Sequence, residues 1–200
     1  MVENSKNPNK DEVTKASILL AAQKVFQKWG LNKTTMEDIA EEAGKGKSTL
    51  YYYYQSKEEI FETVINSEFN QILLNAKKAI QDLASPKEKL KKYVSVSLTE
   101  IKNYAIVYPI VREEIKGNKT FIERIRKNFE DSETSFVKEI LTSGVQQKEF
   151  NFSEEELTIA AKTVVGIIYA LNMYLFFDEK DEIELIKKID ITARLIADGL

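Results

Sequence analysis

One run of eight residues, Lys47-Ser48-Thr49-Leu50-Tyr51-Tyr52-Tyr53-Tyr54, gathers an ammonium, two hydroxyls and four phenols around a single aliphatic side chain. Such a set gives and takes hydrogen bonds and carries positive charge, but it holds no strong nucleophile. The chain has no His and no Cys. That excludes Ser-His-Asp and Cys-His pairs, thiol redox chemistry, disulfides and conventional zinc sites. Carboxylates, Lys, Tyr and Ser remain, yet no HExxH, spaced carboxylate set or phosphate-binding glycine loop arranges them. Glu113-Glu114 and Glu154-Glu155-Glu156 read as solvated helix faces or a helix start. The chemistry on offer is recognition. No enzyme activity, cofactor or metal is expected.

The elements that must position this run are helical. The chain has 200 residues, 43% hydrophobic and 30% charged, with seven Gly and three Pro, a globular balance poor in loop-formers. Nearly every long stretch has 3.6-residue periodicity, and period-2 alternation is almost absent. After a polar lead-in at 1–10, expected to be disordered, a first helix starts near Asn9 and presents Ile18, Ala22, Val25, Phe26 and Trp29 before Gly30 stops it. Thr35 caps a short second helix with Ile39, Ala40 and Ala43 inside, broken at Gly44. A third short helix carries the tyrosine run. Successive residues turn about 100° around a helix, so at least two of the four tyrosines must face outward. Leu50 belongs inside, and Tyr54, at the helix end, reads as core.

Ser56 opens a fourth helix, about 28 residues and roughly 42 Å long, whose apolar stripe runs from Ile60 to Leu83. That exceeds a small domain, so this helix is expected to join two regions. Ser85-Pro86-Lys87-Glu88 and Ser153 with Glu156 are capping boxes that start further helices. Others run from 108 to 115, from Thr120 to near Gly144, and from 181 to 198, with Gly117-Asn118 as a stop. The fold class predicted is all-α, with about nine helices. Residues 11–56 form a helix-turn-helix head, with its helix-turn-helix at 35–54, and 57–200 form a larger helical lobe.

Two short helices joined through Gly44-Lys45-Gly46 and supported by a third are the parts of a helix-turn-helix, whose second helix enters the major groove of DNA. Thr34-Thr35-Met36-Glu37-Asp38-Ile39-Ala40, then Ala43-Gly44, the run from Lys47 to Tyr54, and Ser56-Lys57-Glu58-Glu59-Ile60 resemble the N-terminal domain of the TetR family of transcriptional regulators. The resemblance covers about residues 14–65. It departs from the family at Lys45, where a small apolar residue is usual, and at Tyr53-Tyr54, which replace a frequent His-Phe pair.

The resemblance implies a cytoplasmic homodimer that binds a palindromic double-stranded DNA operator, most commonly as a repressor, and releases it on binding a small-molecule effector. It implies phosphate contacts from Thr35 and Lys57, and base-edge contacts from Lys47, Ser48 and Thr49. Tyr51 and Tyr52 would meet phosphates or thymine methyls, and Lys45, Gly46 and Tyr53 complete the DNA-facing set. The net charge is −3, and residues 1–60 hold nine Lys and nine acids, so a local patch must do the work. All four Arg lie later, at 112, 124, 126 and 194, which removes bidentate Arg-to-guanine readout.

The second lobe is expected to dimerise and to hold the effector. Tyr93, Tyr104, Tyr108, Phe121, Phe136, Tyr169 and Met173 are the candidate pocket, which favours an apolar or aromatic effector. Gly166, Ala170, Ile189 and Leu195 are the candidate dimer face, with the last two helices pairing as a four-helix bundle. The apolar stretch 158–177 contains Lys162, and its charge-free part is too short for the hydrocarbon thickness. A helix buried on most sides is expected there, and no membrane partner. The competing reading is a helical protein-interaction adaptor that no longer binds DNA; Lys45, Lys47 and Lys57 argue against it.

Overall fold

In a computed structural model, residues 8–116, 118–177 and 182–199 are described. Among them there are nine helices and no strand: α1 (Pro8–Lys33), α2 (Met36–Glu42), α3 (Lys47–Tyr53), α4 (Lys57–Ile80), α5 (Pro86–Val107), α6 (Pro109–Ile115), α7 (Lys119–Gln146), α8 (Glu154–Phe177) and α9 (Glu182–Asp198). The lead-in before Pro8, the Gly117 stop and the expected start at Asp181 lie outside the described residues. The chain divides into two compact units. The first is Met1–Ser67 with Tyr108–Asn118, and the second is Glu68–Val107 with Lys119–Leu200. Helix α4 begins in the first and ends in the second, and α6 belongs to the first although its sequence neighbours α5 and α7 belong to the second.

In the first unit, Ile18, Ala22 and Phe26 of α1, Ile39 of α2, Leu50 of α3, and Ile60 and Phe61 of α4 are fully buried. Phe26 and Phe61 meet edge to face with centroids 5.1 Å apart. Tyr54 is buried as expected, whereas Trp29 is not. It is 46% exposed, with the Lys28 ammonium 4.7 Å from its ring centre.

The Gly30 turn is where α6 is attached. The Glu114 carboxylate of α6 accepts from the backbone N–H of Leu31 and, at 2.9 Å, of Asn32. Buried Thr34 donates from Oγ1 to the Gly30 carbonyl at 2.5 Å. A Cβ on Gly30 would stand 2.6 Å from both Glu114 Oε1 and Ile110 Cγ2, so the turn needs glycine for space as well as for its left-handed backbone.

The second unit packs α5, α7, α8 and α9 around Tyr93, Val94, Leu98, Val137, Leu141 and Ile168. Both predicted helix starts form here, but differently. At α8, Ser153 and Glu156 exchange hydrogen bonds, Ser153 N–H to Glu156 at 2.8 Å and Glu156 N–H to Ser153 Oγ at 3.3 Å. At α5, Ser85 Oγ accepts the Glu88 N–H at 3.2 Å as expected, but the Glu88 carboxylate turns to Lys91, and Glu149, from beyond the end of α7, supplies the capping carboxylate. It accepts from Ser85 Oγ at 2.7 Å and from Lys87 N–H at 2.8 Å.

Helix α8 corrects one expectation. Its segment Glu154–Leu175 is long and apolar enough, by length and composition, to cross a membrane, yet only 28% of it is buried within the chain. Leu157, Ala161, Val164, Val165 and Ile168 face the core, while Ile159, Thr163, Ile167, Ala170 and Tyr174 form a second, exposed stripe at helical spacing. Helix α9 is built alike. Ile189, Ala193 and Ala197 point inward at four-residue steps, and Ile186, Ile191 and Leu195 stand exposed.

Candidate nucleic-acid interface

The surface that could meet a polyanion begins at Thr35. Its Oγ1 accepts from the Asp38 N–H at 3.2 Å, and its own N–H donates to Asp38 Oδ2 at 2.8 Å, a complete capping box that starts α2. The Thr35 hydroxyl and the Thr35 N–H, both donating to Asp38 Oδ2, hold the Asp38 carboxyl below the usual range. The chain then breaks at Gly44, φ 61°, and passes through exposed Lys45 to Gly46, the extended N-cap of α3. Gly46 offers no side-chain cap, and its carbonyl accepts the Thr49 N–H at 2.9 Å.

Leu50, fully buried, fixes the rotation of α3. That rotation leaves Lys47, Ser48, Tyr51 and Tyr52 exposed, Tyr52 by 60%, with Thr49 half-buried. Lys47 donates to Glu37 of α2, which raises the pKa of the ammonium and lowers that of the carboxyl, and its Nζ lies 5.8 Å from the Tyr51 ring centre.

Three residues expected to face DNA are committed elsewhere. Thr35 gives its hydroxyl hydrogen to Asp38 at 2.7 Å. Tyr53 turns back onto α1, half-buried, and its hydroxyl donates to Asp11 at 2.8 Å; that bond raises its pKa. Lys57 donates to the carbonyls of Leu31 at 2.8 Å, Asn32 at 3.1 Å and Thr34 at 2.8 Å. With three protons on three acceptors, this ammonium caps the end of α1, where a cation is also favoured by the helix dipole. Sequence reasoning missed Glu37 and Glu114. Neither has a local signal, because their partners lie 10 and 82–83 residues away.

Residues 18–64 match the model for bacterial regulatory proteins of the tetR family. A transcriptional regulator from Cytophaga hutchinsonii ATCC 33406 has the same fold, with a TM-score of 0.72 and 29% identity over 91% of this chain and 95% of that one. Residues 18–64 therefore form a TetR-family N-terminal domain, and along most of its length the chain is similar to transcriptional regulators. Among its relatives, the uncharacterized HTH-type transcriptional regulator YhgD of Bacillus subtilis (strain 168) is 24% identical over 157 residues, 78% of this chain and 82% of that protein. The FadR regulator of Bacillus subtilis, solved in complex with stearoyl-CoA, shares the fold at a TM-score of 0.63 and 23% identity, over 92% of this chain and 98% of that one.

The other residues expected to be functional fall as follows. Tyr93, Tyr104, Phe121, Phe136, Tyr169 and Met173 are in the second unit, but Tyr108 caps α6 in the first and is buried there, so it does not join them. Tyr93 is fully buried with its hydroxyl 3.1 Å from Glu133, packs edge to face on Phe136, and has its pKa pushed well up by burial. Tyr104 donates to Glu68. Tyr169 lies against the Arg126 guanidinium, 4.4 Å from its ring centre. Among the expected dimer residues, Ile189 is buried inside its own chain and is corrected to a core role. Leu195 is 70% exposed, Ala170 is exposed, and a Cβ on Gly166 would meet nothing within 4 Å.

Proposed function

We propose that this chain is a cytoplasmic homodimeric repressor that reads a palindromic operator with α3 and is released by an apolar effector. The observation that carries the DNA reading is the rotation of α3, with Leu50 locked inside and Lys47, Ser48, Tyr51 and Tyr52 outside. Lys47, Ser48 and Thr49 take base edges and phosphates, Tyr51 and Tyr52 take phosphates or thymine methyls, and Lys45 and the amides after Gly46 take the backbone. Thr35, Tyr53 and Lys57 shape the head instead of touching the duplex.

The second copy covers the exposed stripes of α8 and α9. Between them runs an apolar groove of about 680 Å³, lined by Phe152, Ile159, Thr163, Ile167, Leu195 and Ile196 among others. Apolar faces of this extent on a single chain call for a partner. A second copy fits better than lipid, because Lys162 lies exposed eight residues into α8. The second unit, Glu68–Val107 with Lys119–Leu200, supplies dimerisation and the effector site. The fatty-acyl ligand of the similar FadR suggests a long acyl chain, which the aromatic side chains of the second unit would suit. An effector acts by binding one spacing of the two heads better than the other.

Fluorescence anisotropy with a duplex from the region upstream of the protein's own gene tests this reading. Tight binding lost in Lys47→Ala is expected. With no Arg in the head, the slope of log K against log salt should be shallower than about −10. No binding at low salt, or an unaltered Lys47→Ala, would favour the adaptor. Thermal shift with fatty acyl thioesters against small charged metabolites tests the effector class, and stabilisation by the charged set alone would rule out an apolar ligand.

A further inference from the structure

Lys47 is the only charged residue on α3, and residues 1–60 contain no Arg. In the free protein its ammonium is already held by the Glu37 carboxylate, on the first turn of α2, and the side chains of both residues are more than half exposed. A carboxylate on an ammonium makes the same kind of charge-assisted hydrogen bond as a phosphate oxygen. With Lys57 held by three α1 carbonyls and Thr35 by Asp38, this pair governs the one cation carried by α3 itself.

We propose that Glu37 determines specificity by standing on Lys47 in place of a DNA phosphate. A DNA phosphate approaching Lys47 meets the Glu37 charge, so the two anions repel and the pair must open. A base edge is a neutral acceptor. An ammonium has three N–H donors, and it can reach guanine O6 or N7 with one while keeping Glu37 on another. Glu37 therefore penalises backbone-only binding more than operator binding. The inference rests on the DNA-binding reading above.

The test measures the full-length protein, Glu37→Gln, Lys47→Ala, the double variant and a charge-matched control, Glu41→Gln. Each is titrated across a KCl series on a mixed-sequence 30-base-pair duplex and on the duplex from upstream of its own gene. Glu37→Gln should tighten the mixed-sequence duplex by roughly 3–10-fold, steepen its salt slope by about 0.9, and gain less on the upstream duplex. In the Lys47→Ala background the gain should vanish, and Glu41→Gln should gain less. An equal gain without Lys47, or from Glu41→Gln, would assign the effect to overall charge and overturn the proposal. So would no gain, or equal gains on both duplexes. If the parent protein binds neither duplex at low salt, the DNA reading itself falls, and this inference with it.

Discussion

Replacing Gly30 by alanine would force a Cβ to within 2.6 Å of Glu114 and Ile110 and strain a backbone held at φ 75°. A loss of roughly 2–4 kcal/mol is expected, read as a fall in the urea midpoint. The glycine was legible as a helix stop; the reason it must be glycine was not, because α6 arrives from 80 residues away. Glu133 makes a second case at this scale. Burial raises its carboxyl above the usual value despite the Tyr93 hydroxyl and the Arg126 charge, which pull it down. The folded state therefore holds this proton more tightly than the unfolded chain, and stability falls as pH rises from about 4.5 through the folded value. Glu133→Gln should accordingly raise the urea midpoint at pH 7 and leave it unchanged near pH 4. A variant destabilised at pH 7 would show that the carboxylate is a net support.

Helices were read most securely where their signals are local. Thr35 with Asp38 and Ser153 with Glu156 close as capping boxes, since each pair lies three residues apart and depends on nothing else in the fold. The start at Ser85 forms too, but its capping carboxylate comes from Glu149, which no local pattern announces. Thr35→Ala should cost about 1 kcal/mol of unfolding free energy. It should also change the acid limb. Hydrogen bonds from Thr35 lower the Asp38 pKa, so this stability is present above the unfolded value near 3.8 and is lost as pH falls through the lower folded one. A urea series from pH 6 to pH 2.5 should show a shallower acid loss in the variant. An identical acid limb in both proteins would mean that the cap does not set this titration.

For the whole molecule, the exposed stripes of α8 and α9 carry the expectation of a dimer. Leu195→Lys places a charge on an exposed residue, so the chain should stay folded by circular dichroism while sedimentation shows a monomer. A Leu195→Lys protein that remains dimeric would move the interface elsewhere. The all-α class, the helix order and the helix-turn-helix head were determined by the sequence alone, because helix period, caps and glycine breaks act over a few residues. Tertiary structure decided which polar groups remain available. It drew Lys57 onto α1, folded Tyr53 onto Asp11, set Glu37 on Lys47 and turned Ile189 inward. Those outcomes depend on how helices distant in sequence cross, and a periodicity read along one helix carries no record of the side chains that will face it.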